Sequence, residues 1–347
     1  MADGKSIEAL SVMFTAGVIA GTMLTAITPW GLPATVLTLM ALARHKDSSP
    51  LLFLTFLCLG IFAAATVIPF SNESAIEAMA RESAIRLKGL ISSIPFKADG
   101  TAPLLTALLT GDRSGLSRET VSAFRASGAS HILALSGLHI GILYLIFDYL
   151  TFPLGKSPRA KLIRAVLIVS AAGWFTLATG AGPSIVRAFL FILIGEICCV
   201  TGRPRKPSRV LCLALLIQLV ITPEVVGTLG FQLSYLAMAG IVLLFPILEK
   251  WYPEGRRFNP LRKIWQMSAL SISCQVFTAP LAYLTFGTVP RHFLLTNLMA
   301  IPIVTALMGF AVATITLYGL GWCPDLLIKI TDGLSRLLVW VLEVISS

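Results

Sequence analysis

Residues 51–70 read LLFLTFLCLGIFAAATVIPF and residues 165–178 read AVLIVSAAGWFTLA, and neither stretch carries a charged side chain. The first is long enough to cross a bilayer as a helix, because about 20 apolar residues at about 1.5 Å rise cover the hydrocarbon core. Neither alternates polar and apolar side chains at period two, which sets a transmembrane barrel aside. A backbone in hydrocarbon must bond to itself, so helices remain. The whole chain agrees: 56% of its 347 residues are hydrophobic, 13% are charged, and the mean hydropathy is +0.85. Soluble domains carry about 25% charged residues, twice this share. The expected fold class is all-α, a polytopic integral membrane helix bundle of about ten transmembrane helices.

Outward from those two stretches, spans are expected near 7–27, 32–43, 50–70, 131–151, 161–179, 184–201, 209–222, 231–249, 264–286 and 293–320, with a last one at 325–345. Segment 32–43 is short for a crossing, and Pro302 is placed to break 293–320. Residues 7–27 read as a retained first helix, since no small-residue cleavage site follows. Three parts are expected: N-terminal transmembrane helices (1–70), a helical periplasmic segment (71–128), and a transmembrane core (129–347).

Lysine and arginine set the orientation. They gather between the second and third spans (Arg44, Lys46), after the fourth (Lys156, Arg159, Lys161, Arg164), after the sixth (Arg203, Arg205, Lys206, Arg209) and after the eighth (Lys250, Arg256, Arg257, Arg262, Lys263). Counting helices puts all four groups on one side, the cytoplasmic side, together with the N-terminus. The net charge of +10 is therefore a topology signal and no argument for nucleic-acid binding.

Within 71–128, Ile76, Ala80, Leu87, Ile91 and Ile94 form a helical stripe, and Glu77–Arg81 and Glu82–Arg86 are i,i+4 pairs. Ser74 is placed to cap that helix and Pro95 to stop it. A second helix is expected from Pro103 to Thr110, ending at Gly111. A third is expected between Ser117 as N-cap and Gly128 as stop. These helices are expected to lie on the membrane surface and pack on the bundle. The six cysteines stand in or beside apolar runs without a C-x-x-C pair and read as small hydrophobes. Phe14, Trp30, Trp174, Trp251 and Trp265 read as core or belt aromatics.

Residues 109–140 read LTGDRSGLSRETVSAFRASGASHILALSGLHI: a Gly-Asp turn at Gly111–Asp112, with Arg113 next, a short helix, then Gly128-x-x-His131-x-x-x-x-Ser136-Gly137-x-His139. This stretch resembles the signature of the ComEC-type DNA-uptake (competence) family. Further matches follow in order at Thr179–Ala188 (TGAGPSIVRA), Gly230–Tyr235 (GFQLSY), Gln275–Pro280 and Asn297–Pro302. The resemblance covers about residues 100–320. It implies an inner-membrane channel that admits one strand of incoming DNA, with single-stranded DNA and the lipid bilayer as partners. It also implies a separate nuclease, a periplasmic DNA receptor and a cytosolic motor. The family's β-rich, OB-like insertion has no counterpart between the early spans and the core, and neither its β-lactamase-like domain nor its H-x-H-x-D-H motif has one after the last span. The match is thus expected to be to the membrane core, without enzymatic activity or a cofactor of its own. His45, His131, His139 and His292 assemble no metal site by spacing. A small-solute permease or degenerate channel subunit on the same fold is the alternative, and an intramembrane Ser–His hydrolase a third.

The candidate path residues are Asp112, Arg113, His131, Ser136, His139, Ser184, Arg187, Gln232, Gln275 and Asn297. Ser136 and His139 stand at i,i+3, as expected on one helix face. They read as a nucleophile with its base, as a polar lining, or as packing and hydrogen bonding among small residues. Arg187 reads as a phosphate contact, as a snorkelling side chain, or as a partner of Glu196, which is nine residues and about 13–14 Å away along a helix. The glycines before Ser184 read as an anion site at a helix N-terminus or as a tight turn. Gln232, Gln275 and Asn297 read as a hydrated lining or as bridges between helices. Lys329, Asp332 and Arg336 fall on one face of the last helix, which places it in the interface as readily as across the membrane.

Overall fold

The structure, a computed structural model, describes residues 4–24, 27, 31, 33–38, 49–65, 75–155, 157–252, 260–288 and 292–346. Trp30, most of the 32–43 span, Arg44, His45, Lys46, Ser74, Lys156, Arg256 and Arg257 lie outside the described residues. The helices are α1 (Gly4–Met23), α2 (Ser49–Ala65), α3 (Ala75–Ser93), α4 (Thr101–Thr110), α5 (Arg118–Ala126), α6 (Ser130–Leu133), α7 (Gly137–Thr151), α8 (Pro158–Ala178), α9 (Pro183–Thr201), α10 (Pro207–Ile221), α11 (Leu229–Leu243), α12 (Phe245–Glu249), α13 (Pro260–Phe286), α14 (Phe293–Gly319) and α15 (Asp325–Ser346). No strand occurs among the described residues. Proline opens α8, α9, α10 and α13, where its missing N–H is not needed by the helix.

Among the described residues, six stretches are long and apolar enough to cross a membrane: Gly137–Leu154, Pro158–Ala178, Pro183–Thr201, Leu229–Glu249, Pro260–Phe286 and Phe293–Gly319. About ten were expected. The difference lies in α1, α2 and α10, whose apolar stretches (Ile7–Met23, Leu52–Ala64 and Pro207–Ile221) are shorter, in segment 32–43, and in α15, whose five charged residues set it apart from the lipid-crossing class. Pro302 does not break α14, which runs continuously from Phe293 to Gly319. On the crossing helices, Leu284 is 81% exposed and Tyr149 80%, exposures that suit lipid rather than water.

The chain divides into two units, one of residues 1–73 and 190–238 and the other of residues 74–189 and 239–347. In the first, α1 and α2 approach backbone to backbone. A side chain at Gly17 would collide with the Leu57 carbonyl, and one at Gly60 with the Phe14 carbonyl. Small residues are what close packing of membrane helices requires. Phe14 and Val18 are buried with Leu219, Val225, Val226 and Phe231. Tyr235 Oη donates to Gln218 Oε1 at 2.9 Å, which settles a polar pair between α10 and α11.

In the second unit the core joins α4, α5 and α6 to α14 and α15. α4 (TAPLLTALLT) is apolar all round. Leu104, Leu105, Ala107, Leu108 and Leu109 are all buried, as is expected of a helix without a polar face. Within the segment expected on a membrane surface, α4 is therefore core, while most of α3 is exposed. Ala80, Ile91 and Ile94 of the α3 stripe are buried, but Ile76 is exposed. Of the charges on α15, Asp332 is 2% exposed while Lys329 and Arg336 are exposed, and Arg336 Nε pairs with Asp332 Oδ2 at 3.6 Å. Asp332 Oδ1 accepts from Thr101 Oγ1 at 2.7 Å and from the Ala98 N–H at 3.2 Å, which places a carboxylate at the N-terminus of α4. Trp174 Nε1 donates to Ser83 Oγ at 3.1 Å, Trp265 Nε1 donates to the Leu248 carbonyl at 2.9 Å, and Trp251 is exposed.

Gly17→Ala and Gly60→Ala are expected to destabilise the α1–α2 pair by roughly 1–3 kcal/mol each, because backbone carbonyls cannot yield to the added methyl. Gly227→Ala, which meets nothing within 4 Å, is the neutral comparison. Thermal unfolding of the purified protein in detergent measures all three.

Candidate functional site

The apolar run before Ser136 hides a break. α6 ends at Leu133, Ala134 is extended (φ −74°, ψ 124°), and Ser136 is extended (φ −136°, ψ 176°) before α7 begins at Gly137. Ser136 is therefore the N-cap of α7 and not a residue of its face. His131 belongs to a separate helix. The expectation of one helix carrying His131, Ser136 and His139 is corrected on that point. The local cause is the capping preference of serine, which satisfies the free N–H groups that open a helix.

Ser136 Oγ accepts from the Leu138 N–H at 3.3 Å, and the Ser136 N–H donates to His139 Nδ1 at 3.2 Å, a reciprocal capping box. Ser136 Oγ lies 3.3 Å from the same Nδ1. Nδ1 accepts from a backbone N–H, so the proton is on Nε2, which is buried without a hydrogen-bond partner. A serine nucleophile would need a base whose second nitrogen is oriented by a carboxylate. Asp112 does not supply one: its carboxylate pairs with Lys88 of α3 and accepts from the Ser114 N–H at 2.9 Å. The lysine and the Ser114 hydrogen bonds hold the Asp112 carboxyl well below the usual carboxylate range. The Gly-Asp turn is thus a structural joint. Gly111 adopts φ +80° after α4, and a side chain there would run into Leu135 Cδ1. Arg113 is exposed beside it, and His131 Nδ1 faces the Gly128 carbonyl at 3.2 Å.

Arg187 meets this helix start. A Cβ on Gly137 would stand 3.2 Å from Nη2 of Arg187 and 3.4 Å from Cβ of Ala188, so glycine at the first position of α7 lets α9 approach. Arg187 is 8% exposed. It is brought there by the turn between α8 and α9. The Gly180 N–H donates to the Leu177 carbonyl at 3.1 Å and the Ala181 N–H to the Thr176 carbonyl at 2.9 Å, a Schellman arrangement with Gly180 at φ +83°. Ala181 follows at φ +50°, a left-handed conformation costly for a residue with a Cβ. The glycines before Ser184 therefore form the tight turn, and half-buried Ser184 stands in the first turn of α9.

Other motif residues join from the second unit. Gln275 stands half-buried on α13. Thr296 Oγ1 donates to the Ser127 carbonyl at 2.7 Å, which ties Asn297 of α14 to the start of the Gly128–His139 stretch, and Asn297 Oδ1 is buried without a hydrogen-bond partner. Gln232 lies in the first unit, where its Nε2 donates to the Val226 carbonyl at 2.9 Å and locks the start of α11. Of the candidate residues, the second unit joins Ser136 to His139 and sets Arg187 against Gly137 between them, while Thr296, next to Asn297, is tied to Ser127. Asp112 and Arg113 stand apart. Asp332 escaped the sequence reading of polar sites, since its hydrogen-bond partners Ala98 and Thr101 are more than 200 residues away and leave no local signal. No group of three or more potential metal ligands occurs among the described residues.

A polytopic α-helical membrane protein with polar motifs gathered at helix starts is the class these features define. The chain belongs to the competence protein family, whose model, described as Competence protein, matches residues 108–347. It is 30% identical to ComE operon protein 3 of Bacillus subtilis over 172 residues, 49% of this chain and 21% of that protein. It is 28% identical to Recombination protein 2 of Haemophilus influenzae over 259 residues, 68% of this chain and 31% of that protein. It is 30% identical to Competence protein ComA of Neisseria gonorrhoeae over 203 residues, 57% of this chain and 28% of that protein. The chain spans about a fifth to a third of the length of these relatives. No solved structure matches it. Membership accords with a non-enzymatic role for this membrane part.

Two outcomes follow. Ser136→Ala is expected to cost about 1 kcal/mol of stability, whereas Ser136→Asn keeps the cap. Wild-type protein should show no Ser136-dependent labelling by a fluorophosphonate probe. The Lys88–Asp112 tie has a fixed pH dependence. A carboxylate depressed in the folded state contributes stability above the ordinary aspartate value near 4, and loses it as pH falls toward the folded value. The difference in melting temperature between wild type and Asp112→Asn should be constant from pH 7 to pH 5 and shrink only in more acidic solution, read by thermal scans in detergent.

Proposed function

We propose that this protein is an inner-membrane channel component for uptake of single-stranded transforming DNA. The observation that carries the reading is the buried guanidinium of Arg187 against Gly137, where α7 and α9 both begin. A permanent charge inside a membrane bundle is costly and, in such a bundle, marks a path for a charged substrate. Arginine matches a phosphodiester in geometry as well as in sign. His139 Nε2, on the helix that Gly137 opens, and Asn297 Oδ1, on α14, are buried polar atoms with no hydrogen-bond partner among the described residues. None of these groups reads bases, which suits passage without regard to sequence.

The proposed orientation puts the N-terminus and the loops at 44–49, 156–164, 203–209 and 250–263 in the cytoplasm. Both ends of segment 71–128 and the starts of α7, α9 and α14 then face the periplasm. That alternation counts α10 as a crossing. Arg187 stands just inside the outer mouth. Strand degradation, DNA capture and the driving force fall to a separate nuclease, a periplasmic DNA receptor and a cytosolic motor.

The test is internalised labelled DNA per unit of membrane protein in a transformable host relying on this chain. Arg187→Gln is expected to leave abundance intact and to lower the ratio, while Arg187→Lys retains part of it, since lysine keeps the charge and loses the bidentate fork. An unchanged ratio in Arg187→Gln removes the residue from the pathway.

A further inference from the structure

Ties within the second unit fix how deep the α3–α4 pair lies along the crossing helices. At one end of α14, Tyr318 Oη donates to the Ser93 carbonyl at 2.8 Å, and Leu90 Cδ2 lies 3.4 Å from where a Cβ of Gly319 would be. Asp332 holds Ala98 and Thr101 near that level. At the other end of α14, Thr296 holds Ser127. Thr296 and Tyr318 are 22 residues apart on one continuous helix, about 33 Å and comparable to the hydrocarbon core.

The upper level is fixed separately. α8 ends beside the start of α7, because its terminal turn delivers Arg187 to Gly137. Trp174, four residues before that end, binds Ser83 of α3. Gly111, which closes α4, presses on Leu135 just before α7. From Ser83 to Ser93, α3 thus runs from the level of Trp174 down to that of Tyr318, residues 94–100 turn, and α4 climbs from Asp332 back to Leu135; each arm covers about 15 Å between these ties, roughly half the stretch from Tyr318 to Thr296. An uncharged helix buried all round is what the climb requires, and α4 is one.

We propose that α3 and α4 form a re-entrant hairpin that enters from the face at which α7 and α14 begin, turns at residues 94–100 near the far end of α14, and presents the charged edge of α3 to a water-filled cavity. Beside exposed Ile76, Met79 and Ile85, α3 carries exposed ions. Arg86 and Glu82, paired at 2.7 Å, are 77% and 60% exposed, and Lys88, paired with Asp112, is 48% exposed. Ionised side chains at membrane depth face water or the bundle interior, so this edge is one wall of an aqueous vestibule. The inference rests on reading α8 and α14 as crossing helices and deepens the proposed channel by naming a wall for it. It does not depend on what passes.

Single cysteines at Arg125, Lys97 and Arg86, in a chain whose six native cysteines are replaced, test it in right-side-out membrane vesicles. A bulky, impermeant maleimide added outside should label Arg125→Cys and lose all labelling at Lys97→Cys. A small hydrophilic methanethiosulfonate should additionally modify Arg86→Cys. Labelling of Lys97→Cys by the maleimide as fast as Arg125→Cys puts the hairpin on the surface and overturns the proposal. So does an Arg86→Cys that reacts only with a lipid-soluble reagent. In the unaltered chain, an impermeant amine reagent added outside should leave Lys97 unmodified, and its modification overturns the proposal as well. Because the outer face is defined by Arg125→Cys itself, a failure of DNA passage would leave these outcomes unchanged.

Discussion

In hydrocarbon a polar group has no water to fall back on, so each one the chain carries there must find its partner within the protein. Much of the structure answers that demand. Ser11, Thr15, Thr106, Thr176, Ser273, Thr305 and Thr314 each donate to the carbonyl four residues earlier in their own helix. Helix starts are closed by capping serines or opened by proline, and α8 ends on a turn that bonds its last carbonyls. Where a group cannot be settled locally, the solution is long-range. Asp332 reaches the start of α4, Tyr318 the end of α3, and Thr296 the carbonyl of Ser127. These same bonds bring the remote segments of the second unit into register.

The constraint also gives meaning to an ion held inside the second unit. Arg187 stays charged at any pH a cell meets, and it is buried against the backbone of Gly137. A core arginine kept only for structure would be an expensive choice, since apolar packing at the same place is often at least as stable. The charged edge of α3 poses the same question, and an aqueous vestibule answers it. In this account the path for a polyanion is built from groups that the bilayer would otherwise exclude.

Much of this was legible in the sequence, because local rules governed it. The uncharged run at 165–178 falls in a crossing helix, Ser117 and Gly111 were read correctly as cap and stop, and the Gly-Ala-Gly-Pro turn before α9 behaves as glycine and proline demand. Ser136 was legible too, as a serine three residues before a histidine at a helix start. The apolar run Ile132–Leu135 masked it by looking continuous with α7. What the sequence could not show was distance. Nothing near Asp332 announces Ala98 and Thr101, and its spacing from Lys329 and Arg336 points to an exposed face. Likewise, amphipathic α3 followed by apolar α4 reads as a surface segment until Tyr318 and Thr296 fix both ends of the stretch along α14.

The central claim, that a nucleic-acid strand passes the junction of α7, α9 and α13, is open to direct observation. A photo-crosslinking amino acid placed at Ser184 or at Gln275 should capture labelled DNA arrested during uptake. The same group at Leu145 or Leu284, both exposed on crossing helices, should capture lipid and no DNA. DNA internalised at normal levels with no crosslink at Ser184 or Gln275, or with equal crosslinking at Leu284, would contradict the account.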